Sequence, residues 1–185
     1  VMSFTGNDYS QTLQEAIQLA YEQGIILIAP TGNDGEEKVL YPAKYEQVIA
    51  VGSVDERNQL AVFSNYGEDV DLVAPGVNIT GLSLSGELIQ LSGTSLSVPQ
   101  VAGIAALLKQ KYKPISNIEV GQILKTSALN LGTSRWYGYG LVQANRALTI
   151  DLATLLNNKE NNDTVTSHVY GKEKYIREDI LRDFD

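Results

Sequence analysis

Three short apolar runs constrain the fold of this 185-residue chain more than any other feature. They are Ile25-Ile26-Leu27-Ile28-Ala29, Val48-Ile49-Ala50-Val51, and the stretch from Val70 to Ala74. Each is too short for a helix, rich in β-branched residues, and bounded or followed by turn formers: Pro30, Gly32 and Gly35 after the first, Pro75-Gly76 after the third. A strand that is apolar without alternation must be covered on both faces, which is the situation of strands in a parallel sheet packed between helices. The runs therefore predict an α/β protein with a parallel β-sheet flanked by helices. Leu88–Leu91 reads as a further, shorter strand.

Helical spacing supplies the covering layers. Leu13, Ala16, Ile17, Ala20 and Tyr21 recur at helical intervals between Ser10 and Gly24, with Thr12 and Glu15 placed for a capping box and Gly24 for the C-terminal cap. The segment Ser95–Tyr112 is so apolar, and so rich in small residues, that it reads as a helix buried nearly all round. Further helices fit Asn117–Ser127 and Gln143–Leu148. From Asn157 to Asp163 the chain turns polar and linker-like, and beyond it Ile176, Ile180 and Phe184 share one face of a candidate terminal helix.

Composition excludes several functions. The formal charge of −8 leaves nothing to neutralise a run of phosphates, so nucleic acid is not an expected partner. No apolar stretch approaches the ~18–20 residues that span a bilayer. Absence of cysteine removes disulfides, thiol catalysis and Cys-type zinc sites. The single histidine is His168, so a site that needs a histidine must use that one or receive one from another segment.

The strongest chemical signal is Ser92-Gly93-Thr94-Ser95-Leu96-Ser97-Val98-Pro99-Gln100-Val101-Ala102-Gly103. It sets Ser95 at a glycine-preceded turn that opens a buried helix. Backbone N–H groups and the positive helix end there favour an anion beside the serine, as a tetrahedral acyl-transfer intermediate requires. Taken alone, Ser95 reads as a helix N-cap. The longer pattern resembles the nucleophile motif of the subtilisin (subtilase) family of serine proteases. Other blocks are similar in the family's order: Ala29-Pro30-Thr31-Gly32-Asn33-Asp34-Gly35, Tyr41-Pro42-Ala43 with Val48–Gly52, Phe63-Ser64-Asn65-Tyr66-Gly67 leading to Pro75-Gly76, and Tyr139–Ala144. The resemblance covers residues 1 to about 148 and implies a division into residues 1–148, the C-terminal part of a catalytic domain, and a tail of residues 149–185 that lies outside it.

The resemblance implies a subtilisin-like three-layer domain, incomplete in this chain, with Ser95 as nucleophile and Asn33 as oxyanion-hole donor. It implies a substrate cleft formed by Ser3, Phe4 and Thr5 as a pairing strand, and by Pro30, Thr31, Gly32, Leu40 and Thr94 around the primary pocket. Thr5 stands where the family usually has glycine, Leu40 where many relatives have a smaller residue, and Gln100 where histidine is common. Asp34 reads either as a rim carboxylate favouring cleavage after Arg or Lys, or as a solvated turn residue. The carbonyls of Ala43, Tyr45 and Val48, with Asp69 and Asp71 nearby, are similar to a weak cation site of some relatives, suited to Ca²⁺ or a monovalent ion. No cofactor is expected for the chemistry itself.

The family's histidine base and its aspartate precede the oxyanion asparagine, so the expected partner is an N-terminal segment of the same protease carrying both; His168 lies beyond the domain and is not expected to substitute. The profile is similar both to extracellular bacterial peptidases that trim lantibiotic leader peptides and to broadly degradative ones. Competing readings are a non-catalytic subtilisin-like protein that binds peptides or regulates a protease, and a nucleophile-elbow hydrolase, whose Gly-x-Ser-x-Gly pattern is interrupted by Ser97.

Overall fold

The computed structural model describes residues 1–151; the expected linker, His168 and the candidate terminal helix lie outside the described residues. Helix α1 (Gln11–Glu22) starts at Ser10, whose hydroxyl accepts the Leu13 N–H, so the cap is Ser10 itself rather than the expected Thr12–Glu15 box. It ends in a Schellman motif: Gly24, at φ +76°, donates to the Tyr21 carbonyl, and Ile25 donates to Ala20. That second bond explains a boundary the sequence misplaces. The Ile25 N–H closes the helix, so strand β1 begins only at Leu27 (Leu27–Pro30).

Strands β2 (Val48–Val54) and β3 (Leu72–Pro75) complete a parallel sheet in the order β1-β2-β3. Ile28 faces Ile49 across the first pair, and Val51 faces Leu72 across the second. β2 is buried along its whole length, as a strand covered on both faces must be. A hairpin follows from β4 (Ile79–Leu82) and β5 (Leu88–Leu91), forming its own antiparallel sheet; β4 had no signal in the apolar pattern. Then come helices α2 (Thr94–Lys111), α3 (Asn117–Thr126), the short α4 (Ser134–Tyr137) and α5 (Ala144–Thr149).

Strand periodicity sends side chains to the two faces of the sheet, and a smaller cluster gathers around Val54, Val73 and Leu141. Ile28, Ile49, Val51, Leu72 and Ala74 point to one face, where Val98, Val101, Ile104, Ala105 and Leu108 of α2 meet them with Val120, Ile123 and Leu124 of α3. Ala29, Val48 and Ala50 point to the other face and pack with Ile17 of α1, Val39, Ala43 and Tyr45. The α/β class with helices on both faces of a parallel sheet is therefore present.

One expectation is corrected. α2 is not buried all round: Pro99, Gly103, Ala106 and Gln110, spaced as one helical stripe, are exposed beside Leu107. Among the described residues, nothing packs over that stripe. The residues Met2–Thr5 also form no regular strand; Met2 alone donates a backbone bond to the Ile28 carbonyl on the outer edge of β1. The opposite edge is covered, because Val73 donates to Gly140 and accepts from Val142. Among the described residues no helix is long and apolar enough to cross a membrane.

Candidate active site

The carboxyl ends of β1 and β3 and the amino end of α2 converge, which is where open parallel sheets place their ligand sites. β1 runs out through Pro30 into Thr31-Gly32-Asn33, and β3 through Pro75 into Gly76. α2 is locked onto these ends by small polar residues. The Gly93 N–H donates to the Gly76 carbonyl at 2.8 Å. Ser97, fully buried, lies 2.9 Å from the Ala74 carbonyl and 2.8 Å from the Ser53 hydroxyl. A carbonyl only accepts, so the Ser97 proton goes to Ala74 and the Ser53 hydroxyl donates to Ser97.

Ser95 is the second residue of α2, and the cap is Gly93, which offers no side chain. The N-cap reading of Ser95 therefore falls. Its residue is half-buried, and its hydroxyl has no hydrogen-bond partner among the described residues. Its position in the first turn places it among N–H groups that have no intrahelical acceptor.

Asn33 is exposed and tied to the same turn. Its Oδ1 accepts the Thr94 N–H at 2.8 Å and the Thr94 hydroxyl at 2.9 Å. Because the Thr94 N–H can only donate, the atom facing it must be the amide oxygen, which turns the Asn33 NH₂ group outward as a donor. A Cβ at Gly93 would stand 3.8 Å from both amide atoms, so glycine leaves that surface uncovered. Thr94, expected in the cleft, is instead fully buried and acts as the strut for Asn33.

The remaining sequence-picked residues divide clearly. Ser3, Phe4 and Thr5 are exposed, between Met2, which bonds to β1, and Gly6, which pairs with Tyr41. Pro30, Thr31, Gly32 and Leu40 are buried, and Thr31 spends its hydroxyl on the Asn65 carbonyl at 3.0 Å. Leu40 packs against Gly32: a Cβ there would lie 2.9 Å from Leu40 Cδ1. Asp34 is exposed, with one carboxylate oxygen 3.4 Å from the Asn65 Nδ2. Gln100 donates to the Pro75 carbonyl at 2.6 Å.

The cation residues are less well disposed. Ala43, Tyr45 and Val48 are buried, and the Tyr45 carbonyl already accepts the Val48 N–H. Asp69 is half-buried, while the Asp71 carboxylate caps the Ala50 N–H at 2.8 Å and pairs with Lys125 at 2.8 Å. An ion there would have to displace a lysine, so the carboxylate part of that donor set does not fit. Among the described residues no group of three or more His, Cys, Asp or Glu side chains is placed to hold a metal.

Comparison with known proteins turns this geometry into a family assignment. Residues 1–140 match the model of the subtilase family (peptidase S8). The chain belongs to the subtilase family. Among relatives, subtilisin BL of Lederbergia lenta is 43% identical over 138 residues, which are 75% of this chain and 51% of that protein. A thermostable alkaline protease of Halalkalibacterium halodurans is 42% identical over 146 residues, 79% of this chain and 40% of the relative. This subtilase chain thus spans about half the length of the relatives it matches. Solved structures agree: the prenylagaramide maturation protease PagA gives a TM-score of 0.71 at 34% identity, covering 80% of this chain and 58% of that one. The self-cleaved protease domain of PatA gives 0.73 at 30% identity, covering 84% and 61%.

Sequence reasoning missed the role of Asn65. It lies in a block matched to the family, but Asn-Tyr-Gly reads as an ordinary turn, and only the fold shows this asparagine to be completely buried.

Proposed function

We propose that this subtilase chain carries the nucleophile and oxyanion half of a serine endopeptidase. Ser95 attacks the scissile carbonyl, and the Asn33 amide together with the Ser95 N–H receives the negative charge that develops on its oxygen. The observation that carries the reading is the pair of bonds from Thr94 to Asn33 Oδ1, which aims the amide donor outward beside the helix that bears Ser95.

The serine proton needs a base, and residues 1–151 contain no histidine. The base and its orienting aspartate come from a companion N-terminal segment of the same protease. The uncovered apolar stripe of α2 and the nearly unpaired outer edge of β1 are the surfaces such a segment would cover. Peptide substrate lies along Ser3-Phe4-Thr5, held through main-chain bonds to that segment. Leu40 shortens the primary pocket, and Asp34 at its rim favours Arg or Lys there. We place the enzyme outside a bacterial cell, consistent with a cysteine-free, acidic chain.

Kinetics of Asn33→Ala in the assembled enzyme test the reading. The account expects kcat to fall about 10²–10³-fold with KM nearly unchanged, a magnitude taken from subtilisins themselves. A raised KM with unchanged kcat would instead mark Asn33 as a ground-state contact. Profiling a peptide library with Asp34→Asn tests the rim: preference for basic residues should weaken, and an unchanged profile refutes that role.

A further inference from the structure

Residues 31–38, which carry Asn33, contain no helix or strand; backbone bonds from Gly35 to Phe63 and from Tyr66 to Glu36 tie the loop down, and one buried side chain adds several more. Asn65 is fully buried beneath it. Its Oδ1 accepts the Asp34 N–H at 2.8 Å and the Glu36 N–H at 3.3 Å. Its Nδ2 donates to the Lys38 carbonyl at 2.9 Å and approaches the Asp34 carboxylate at 3.4 Å. Its backbone N–H donates to the Gly32 carbonyl at 3.1 Å, and its carbonyl accepts from the Thr31 hydroxyl at 3.0 Å. These contacts bracket Asn33 on both sides, while among the described residues the Asn33 side chain itself is tethered only to Thr94 on α2.

We infer that Asn65 is a positioning residue: it fixes the Asn33 loop against α2 so that the Asn33 amide and Ser95 keep their mutual placement. The inference rests on the oxyanion role proposed for Asn33. The amide is the group that fits, because the loop presents two N–H donors and two oxygen acceptors to one buried side chain. Serine would be too short to reach both sets, and aspartate would set an acceptor against the Lys38 carbonyl and a second negative charge against Asp34.

The test is a double-mutant cycle in the assembled enzyme with Asn65→Ala and Asn33→Ala, singly and together. A donor displaced by about 1 Å costs up to about 10²-fold. Asn65→Ala should therefore lower kcat about 10- to 100-fold with KM within about twofold, and should lower it no further once Asn33→Ala is present. Amide hydrogen exchange at Asp34 and Glu36 should quicken, with protection along β2 unchanged. Should Asn65→Ala fail to fold, Asn65→Ser, which keeps a polar group but is too short to reach both sets of partners, carries the same cycle. An equal loss with and without Asn33→Ala would overturn the inference while leaving the oxyanion reading intact, because Asn33→Ala alone would still reduce kcat. No effect of Asn33→Ala alone would remove both.

Discussion

One added methyl group separates the contributions at the Asn33 loop. Gly32 sits at φ +121°, and a Cβ there would lie 2.4 Å from the Asn65 Nδ2 and 2.9 Å from Leu40 Cδ1. Gly32→Ala should therefore cost about 1–3 kcal/mol through backbone strain and overpacking, read as a lower urea midpoint with an unchanged m-value. It should also reduce activity more than stability alone explains, because the atom it displaces belongs to the side chain that fastens the loop on both sides of Asn33. Ser95 and Asn33 were legible as candidates through the likeness of their motifs to the subtilase family; taken alone, they read as a helix N-cap and an ordinary turn residue. Asn65 was not legible, because burial is set by residues distant in sequence, and nothing in Asn-Tyr-Gly announces it.

At the scale of elements, the apolar runs located all three strands of the parallel sheet, since both faces of each strand are covered and no alternation confuses the pattern. Their ends were less legible. The start of β1 is set by the Schellman closure of α1 rather than by apolarity, and β4 is a surface strand with one partner and only one half-buried residue. α2 shows the limit of composition: small apolar residues all round describe what the helix is made for, while one stripe stays uncovered among the described residues. Its docking to the strand ends is testable. Ser97→Ala removes the acceptor that the buried Ser53 hydroxyl uses, and should destabilise by about 1–3 kcal/mol in urea unfolding. Leu108→Ala, at a fully buried position in the same core, should cost about 2–5 kcal/mol. If Ser97→Ala were neutral, the serine ladder would not be what seats α2.

For the whole molecule, the decisive features are surfaces rather than side-chain contacts. The Pro99–Gly103–Ala106 stripe with Leu107, and the outer edge of β1, are what the proposed companion segment would cover. A charge placed in that stripe should therefore weaken assembly: Leu107→Asp should lower the affinity for the companion segment without altering the fold of the chain, as measured by titration calorimetry and circular dichroism. An unchanged affinity would move the interface elsewhere.

The central claim, that Ser95 is a nucleophile awaiting a base from another segment, is tested most directly by labelling with a fluorophosphonate probe. The account predicts rapid modification of Ser95 when the segment carrying the histidine and aspartate is present, and none in its absence or in Ser95→Ala. Equal labelling of Ser95 in the isolated 185-residue chain would contradict it.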